Sequence, residues 1–174
     1  MAAKASDVRH GRDGSALRRQ PAEVVAAVRA VAGRVCNAHG LLLWDIGFVR
    51  EAGRETLRVA CDRTGGVVSD ELAVVAEDLS RELDHADAVP GEQRYILEVT
   101  SPGAERRLEG AEQFRVCTGR RANVTLAGGR TVLGTIGEVT DRAVTLETAD
   151  GSVLTLFDDI GRARLVIEGF GAAT

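Results

Sequence analysis

The spacing of the apolar residues changes once along this chain, close to residue 110, and that change limits its possible folds more than any other feature. Before it, helical and strand periods alternate. Val24, Val28, Val31 and Val35 recur at the spacing of one helix face, with Pro21 placed for the first helical position and Gly40 as the stop. Leu42, Trp44, Ile46 and Phe48 then alternate, Glu51–Arg54 turns the chain, and Leu57, Val59 and Cys61 alternate back. That pattern predicts a β-hairpin whose core face holds Trp44 and Phe48. After a loop at Asp62–Gly66, Ser69 is expected to cap a second helix, with Asp70 and Glu71 at its positive end. Its core face reads Leu72, Val75, Ala76, Leu79 and Leu83. Pro90-Gly91 interrupts the chain before a third strand that starts at Tyr95. The order α-β-β-α-β is an α+β unit with both helices on one face of a three-stranded sheet.

Beyond Leu108 the helical signal nearly vanishes, apart from a short turn around Ala111–Phe114. Strands are expected at Ala122–Leu126, Thr131–Val139, Ala143–Glu147, Val153–Phe157 and Arg164–Ile167. Between them lie turn residues, with Asp150-Gly151 a strong two-residue hairpin signal. Gly134 and Gly137 inside the longest strand mark a bend. Five short strands with one bent member indicate a small all-β barrel of SH3-like or Sm-like type. The expected organisation is a disordered tail at residues 1–19, an α+β domain at 20–108 and the barrel at 109–174.

The stretch Tyr95-Ile-Leu-Glu-Val-Thr-Ser-Pro-Gly-Ala-Glu-Arg-Arg-Leu108 joins the halves. A half-buried strand runs into Ser101-Pro102-Gly103, where Pro102 fixes φ and Gly103 permits a left-handed corner. Arg106 and Arg107 follow, each offering a planar fork to carboxylate or phosphate. These residues resemble the LEVSSPGxxRPL signature of the bacterial RimP family of ribosome maturation factors, with Arg107 standing where that pattern has proline. The resemblance implies an α+β domain followed by an Sm-like barrel, and a non-enzymatic role in maturing the small (30S) ribosomal subunit. It also implies ribosomal protein S-twelve as partner. Ser101, Pro102, Gly103, Arg106, Arg107 and Leu108 are the candidate partner-binding residues.

Chemistry is hard to find in this sequence. His10, His39 and His85 are dispersed, and no His-x-x-x-His, Cys-x-x-Cys or Asp-x-Asp spacing indicates a metal site. Ser101 lacks the Gly-x-Ser-x-Gly context of a nucleophile, and neither a phosphate-binding loop nor a dinucleotide fingerprint occurs. Asp158-Asp159 reads as the cap of a short turn. No catalytic residue, cofactor or metal is therefore expected. Cys36, Cys61 and Cys117 are odd in number and widely spaced, as suits free thiols in a reducing compartment. With no long apolar run and no secretory signal, a cytoplasmic address and no membrane contact are expected.

Charge bears on the partner. Residues 21–110 carry ten arginines against sixteen acids, a balance of −6, while residues 111–174 balance at −1. An acidic first domain repels phosphate and attracts a basic protein. That favours a monomeric assembly factor, whose barrel and Arg106/Arg107 loop would meet rRNA or the same protein. An RNA-binding regulator acting as an Sm-like oligomeric ring is the alternative, opposed by the acidity and by an aromatic content of 3%.

Overall fold

A computed structural model of the protein describes residues 21–90 and 95–166. The tail expected at 1–19 lies outside them, as does the end of the strand expected at Arg164–Ile167. The chain divides into two compact units, one ending at Pro102 and the other starting at Gly103. The boundary expected after residue 108 thus lies inside the second unit.

The first unit consists of α1 (Ala22–Ala38), β1 (Leu42–Glu51), β2 (Arg54–Asp62), α2 (Ser69–His85) and β3 (Ile96–Thr100). β2 is the central strand, antiparallel to β1 and parallel to β3, so the β2–β3 connection must cross over and does so through α2. The hairpin turn places Ala52 and Gly53 at φ 47° and 79°, the left-handed pair that a tight two-residue connection requires. Val28, Val31 and Val35 of α1 and Leu72, Val75, Ala76, Leu79 and Leu83 of α2 enclose Ile46, Phe48, Leu57, Val59, Leu97 and Val99 of the sheet in one core. Leu79 is fully buried there, so shortening it to alanine would cost about 2–5 kcal/mol.

Two local expectations need correction. Ser69 is the first residue of α2 rather than its cap; Val68 precedes the helix, and its N–H donates to the Glu71 carboxylate at 3.2 Å. In β1 the pairing with β2 slips between Leu43 and Asp45, so Trp44 is the extra residue of a bulge. The bulge moves the alternation by one position. Leu41 and Leu43 face the core before it, and Ile46 and Phe48 after it. Trp44 is buried, yet it stands outside that cluster.

The second unit holds α3 (Gly110–Val116), β4 (Arg121–Leu126), β5 (Thr131–Val139), β6 (Ala143–Thr148), β7 (Gly151–Leu156), a 3-10 turn at Phe157–Asp159 and β8 (Ile160–Leu165). All five strands form one antiparallel sheet in the order β7-β6-β5-β4-β8. Among the described residues β7 does not pair with β8, so the sheet is not closed into the expected barrel; what is present is a β-rich unit. Gly134 explains one feature of β5. A Cβ there would meet the Glu147 carbonyl oxygen at 2.9 Å, so only glycine lets β5 and β6 approach this closely. Phe114 of α3, buried and 5.3 Å from Phe157 ring to ring, anchors the short helix to the 3-10 turn before β8.

Candidate functional site

The signature segment is shared between the units. β3 ends at Thr100, and Ser101, Pro102 and Gly103 follow half-buried. Gly103 is not among the glycines with positive φ; the left-handed corner of this stretch is Gly110, at φ 76°. Past Gly103 the chain does not remain a loop. The Leu108 N–H donates to the Ala163 carbonyl at 3.1 Å, the Leu165 N–H donates to the Arg106 carbonyl at 3.0 Å, and Arg107 stands opposite Arg164. Residues 106–108 thus lie along the outer edge of β8 as a short extra strand.

Strand geometry then separates the two arginines, because neighbouring side chains point to opposite faces. Leu108 is buried, and Arg106 is half-buried with its Nε out of reach of solvent. Arg107 is exposed. One guanidinium points inward and the other outward.

The outward one has company that the sequence alone does not reveal. Arg162 and Arg164 alternate along β8 on the face that carries Arg107, and both are exposed. Arg164 pairs with Asn123 of β4, and Arg121, two residues from Asn123, occupies the diagonal position on the same face, also exposed. The signal that could have found them is the alternation Arg162-x-Arg164; the cross-strand register that adds Arg107 and Arg121 is absent from local sequence. Beside this face Arg107 and Arg162 border a cleft of about 240 Å³, whose walls include Leu108, Phe157 and Ile160.

The first unit presents the opposite charge. On α2, Asp70, Glu77, Glu82 and Asp84 are exposed, and Val74 is exposed between them. Asp78 is held in place by Arg81 and by His39 at the end of α1, whose Nε2 donates to Oδ2 at 2.8 Å. The His39 hydrogen bond holds the Asp78 carboxyl below the usual carboxylate range. Arg63 does the same for Glu71, aided by the Val68 N–H. The remaining titratable features are internal. Cys36, Cys61 and Cys117 are buried and form no disulfide among the described residues, and the hydrogen bond to Cys36, together with burial, pushes the Cys61 thiol up. Among the described residues no three of His, Cys, Asp and Glu gather as metal ligands, and no helix is long and apolar enough to cross a membrane.

Residues 31–105 match the family model described as the RimP N-terminal domain. The match covers α1 from Val31, the whole three-stranded sheet with α2, and the signature segment as far as Glu105.

Proposed function

Through residues 31–105 this chain belongs to the RimP family of ribosome maturation factors, and from that premise we propose that it assists assembly of the small (30S) ribosomal subunit by holding a basic ribosomal protein, without catalysing a reaction. The observation that carries the proposal is the acidic surface of α2, where Asp70, Glu77, Glu82 and Asp84 are exposed and Arg81 is the helix's single arginine. Exposed carboxylates around an apolar centre such as Val74 suit a lysine- and arginine-rich partner: charge speeds and orients the encounter, and the apolar contact slows dissociation. The resemblance of the signature segment points to ribosomal protein S-twelve as that partner. Ser101, Pro102 and Gly103 would fix where the chain passes from one unit to the other. Arg107 would then make an outward contact with the immature subunit, supported from behind by Arg106 and Leu108. Binding one conformation of the subunit in preference to others is sufficient for assistance, since it shifts a population and needs no reacting group.

We further propose a monomer in the cytoplasm, with the β-rich unit an SH3-like or Sm-like barrel. The strand order and the 3-10 turn linking β7 to β8 support that architecture. A ring built by pairing the sheet edges of neighbouring subunits would need the edge of β8, and residues 106–108 already pair with it. This favours the assembly factor over the oligomeric RNA regulator.

Calorimetric titration against the basic small-subunit protein tests the proposal. Binding should weaken steadily as ionic strength rises, and Glu77→Lys with Asp84→Lys should weaken it by roughly tenfold at low salt. Binding that ignores salt, or no binding at all, would overturn it.

A further inference from the structure

We propose that Cys36 and Cys61 are a modification site, a dithiol that hydrogen peroxide closes into a disulfide between α1 and β2 and that a thiol reductant reopens. The inference is independent of the assembly role and starts from where two elements meet. Cys36 lies in the last turn of α1, and its carbonyl accepts the Leu41 N–H at 2.9 Å. That bond folds the chain directly from the helix into β1, where Leu42 pairs with Asp62 and Leu43 with Cys61. The end of α1 is thereby tied to the part of the sheet that holds Cys61, and a bridge between two short side chains requires such closeness. Both residues are fully buried in the same core cluster, and their thiols are hydrogen-bonded to each other. Cys117, the third cysteine, belongs to the other unit.

Buried thiols are ordinarily inert, because burial disfavours the thiolate that reacts. Mutual contact changes this for one of the two. The hydrogen bond from Cys61 lowers the Cys36 thiol below its ordinary value in spite of burial. The same bond, burial and the negative charges of Cys36 and Asp62 raise Cys61. Cys36 is therefore the nucleophile and Cys61 the resolving thiol. The Cys36 thiolate attacks one peroxide oxygen and the O–O bond breaks. Hydroxide leaves and takes up the proton that Cys36 released, which gives water and a sulfenic acid on Cys36. The Cys61 sulfur then attacks the Cys36 sulfur, the S–O bond breaks, and the Cys61 proton leaves with the hydroxyl as a second water. Two thiols lose two electrons in all, and one peroxide gains them. A small oxidant reaches the pair when the last turn of α1 opens, an event far more frequent than unfolding of the whole unit. The bridge closes a loop from residue 36 to residue 61 that contains all of β1 and most of β2, so it restricts the unfolded chain and raises stability.

The test treats the full chain with hydrogen peroxide under native conditions, stops the reaction with catalase, and caps the remaining thiols with N-ethylmaleimide in guanidinium chloride. Intact mass should show three adducts on the reduced protein and one, on Cys117, after oxidation, with three restored by dithiothreitol. Tryptic mapping should find the peptide of residues 35–50 joined to that of residues 59–63. The melting temperature of the oxidised chain should rise by several degrees and fall back on reduction. In Cys61→Ser, dimedone should trap a sulfenic acid on Cys36, whereas Cys61 in Cys36→Ser should stay unlabelled. The wild-type map decides the matter if either variant fails to fold. A bridge to Cys117, a bridge between two chains, or oxidation without any bridge would overturn the inference. So would a reaction that starts only in guanidinium concentrations that unfold the protein, or dimedone labelling of Cys61 in place of Cys36.

Discussion

Arg106 and Arg107 are adjacent and chemically identical, yet backbone pairing gives them different fates. Two hydrogen bonds to β8 make residues 106–108 a strand, and a strand sends Arg106 inward and Arg107 outward. Charge reversal should therefore separate them. Arg106→Glu places a carboxylate where a half-buried guanidinium, its Nε enclosed, now sits, and should lower stability by about 1–3 kcal/mol. Arg107→Glu alters an exposed side chain and removes its repulsion from Arg164, so stability should stay within about 0.5 kcal/mol. Paired thermal and urea melts measure both. Equal losses in the two variants would mean that the strand is not formed, and the arginine face of the β-rich unit would lose its edge member.

The helices of the first unit were easier to read than its strands, for a physical reason. Every core residue expected on α2 is buried, because a helix repeats its face every few residues and one local period fixes them all. β1 obeys its expected alternation only in part, because a single extra residue at Trp44 exchanges the faces before and after it, and neither glycine nor proline marks the spot. The signature segment shows the same limit at longer range. Its strand and its Pro102 stop are legible locally, whereas the pairing of Arg107 with Arg164 depends on residues far along the chain. The contact between α1 and α2 also escapes local patterns, since His39 could be read only as a residue at a helix end. That contact makes stability depend on pH with a definite sign. The folded state holds the Asp78 and Glu71 carboxyls below their ordinary range, so it binds fewer protons there than the unfolded chain. The stabilisation is complete at neutral pH and is lost as pH falls through and below the ordinary carboxyl values near about 4. Melting temperature measured from pH 7 downward should stay flat and then decline, and Asp78→Asn should lower the plateau slightly while making the decline shallower. Both side chains are partly exposed, Asp78 to 31% and Glu71 to 39%, so the effect should shrink in high salt. A decline just as steep in the variant would assign the acid sensitivity elsewhere.

At the scale of the molecule, each unit has the attributes of an independent folding domain. The first closes a single core between two helices and a three-stranded sheet. The second contains a complete five-stranded sheet sealed at one side by Phe114 of α3 and bordered by residues 106–108. Their charges also differ, and residues 21–102 carry eight arginines against fourteen acids, so the first unit keeps its balance of −6 when it ends at Pro102. Fragments of residues 21–102 and 103–174 should each give dispersed amide spectra, and each should melt cooperatively. The cut is informative. Ending the first fragment at 108 instead would remove from the second the strand that pairs with β8, leaving Leu165 N–H and Ala163 C=O without partners and the Phe114 side of the core without Leu108. A 109–174 fragment should therefore be less stable than 103–174 by about 2–5 kcal/mol, the loss of a buried leucine together with edge hydrogen bonds. Equal stability of the two fragments would show that residues 103–108 only connect the units, and the strand that sets the direction of Arg107 would no longer be part of the fold.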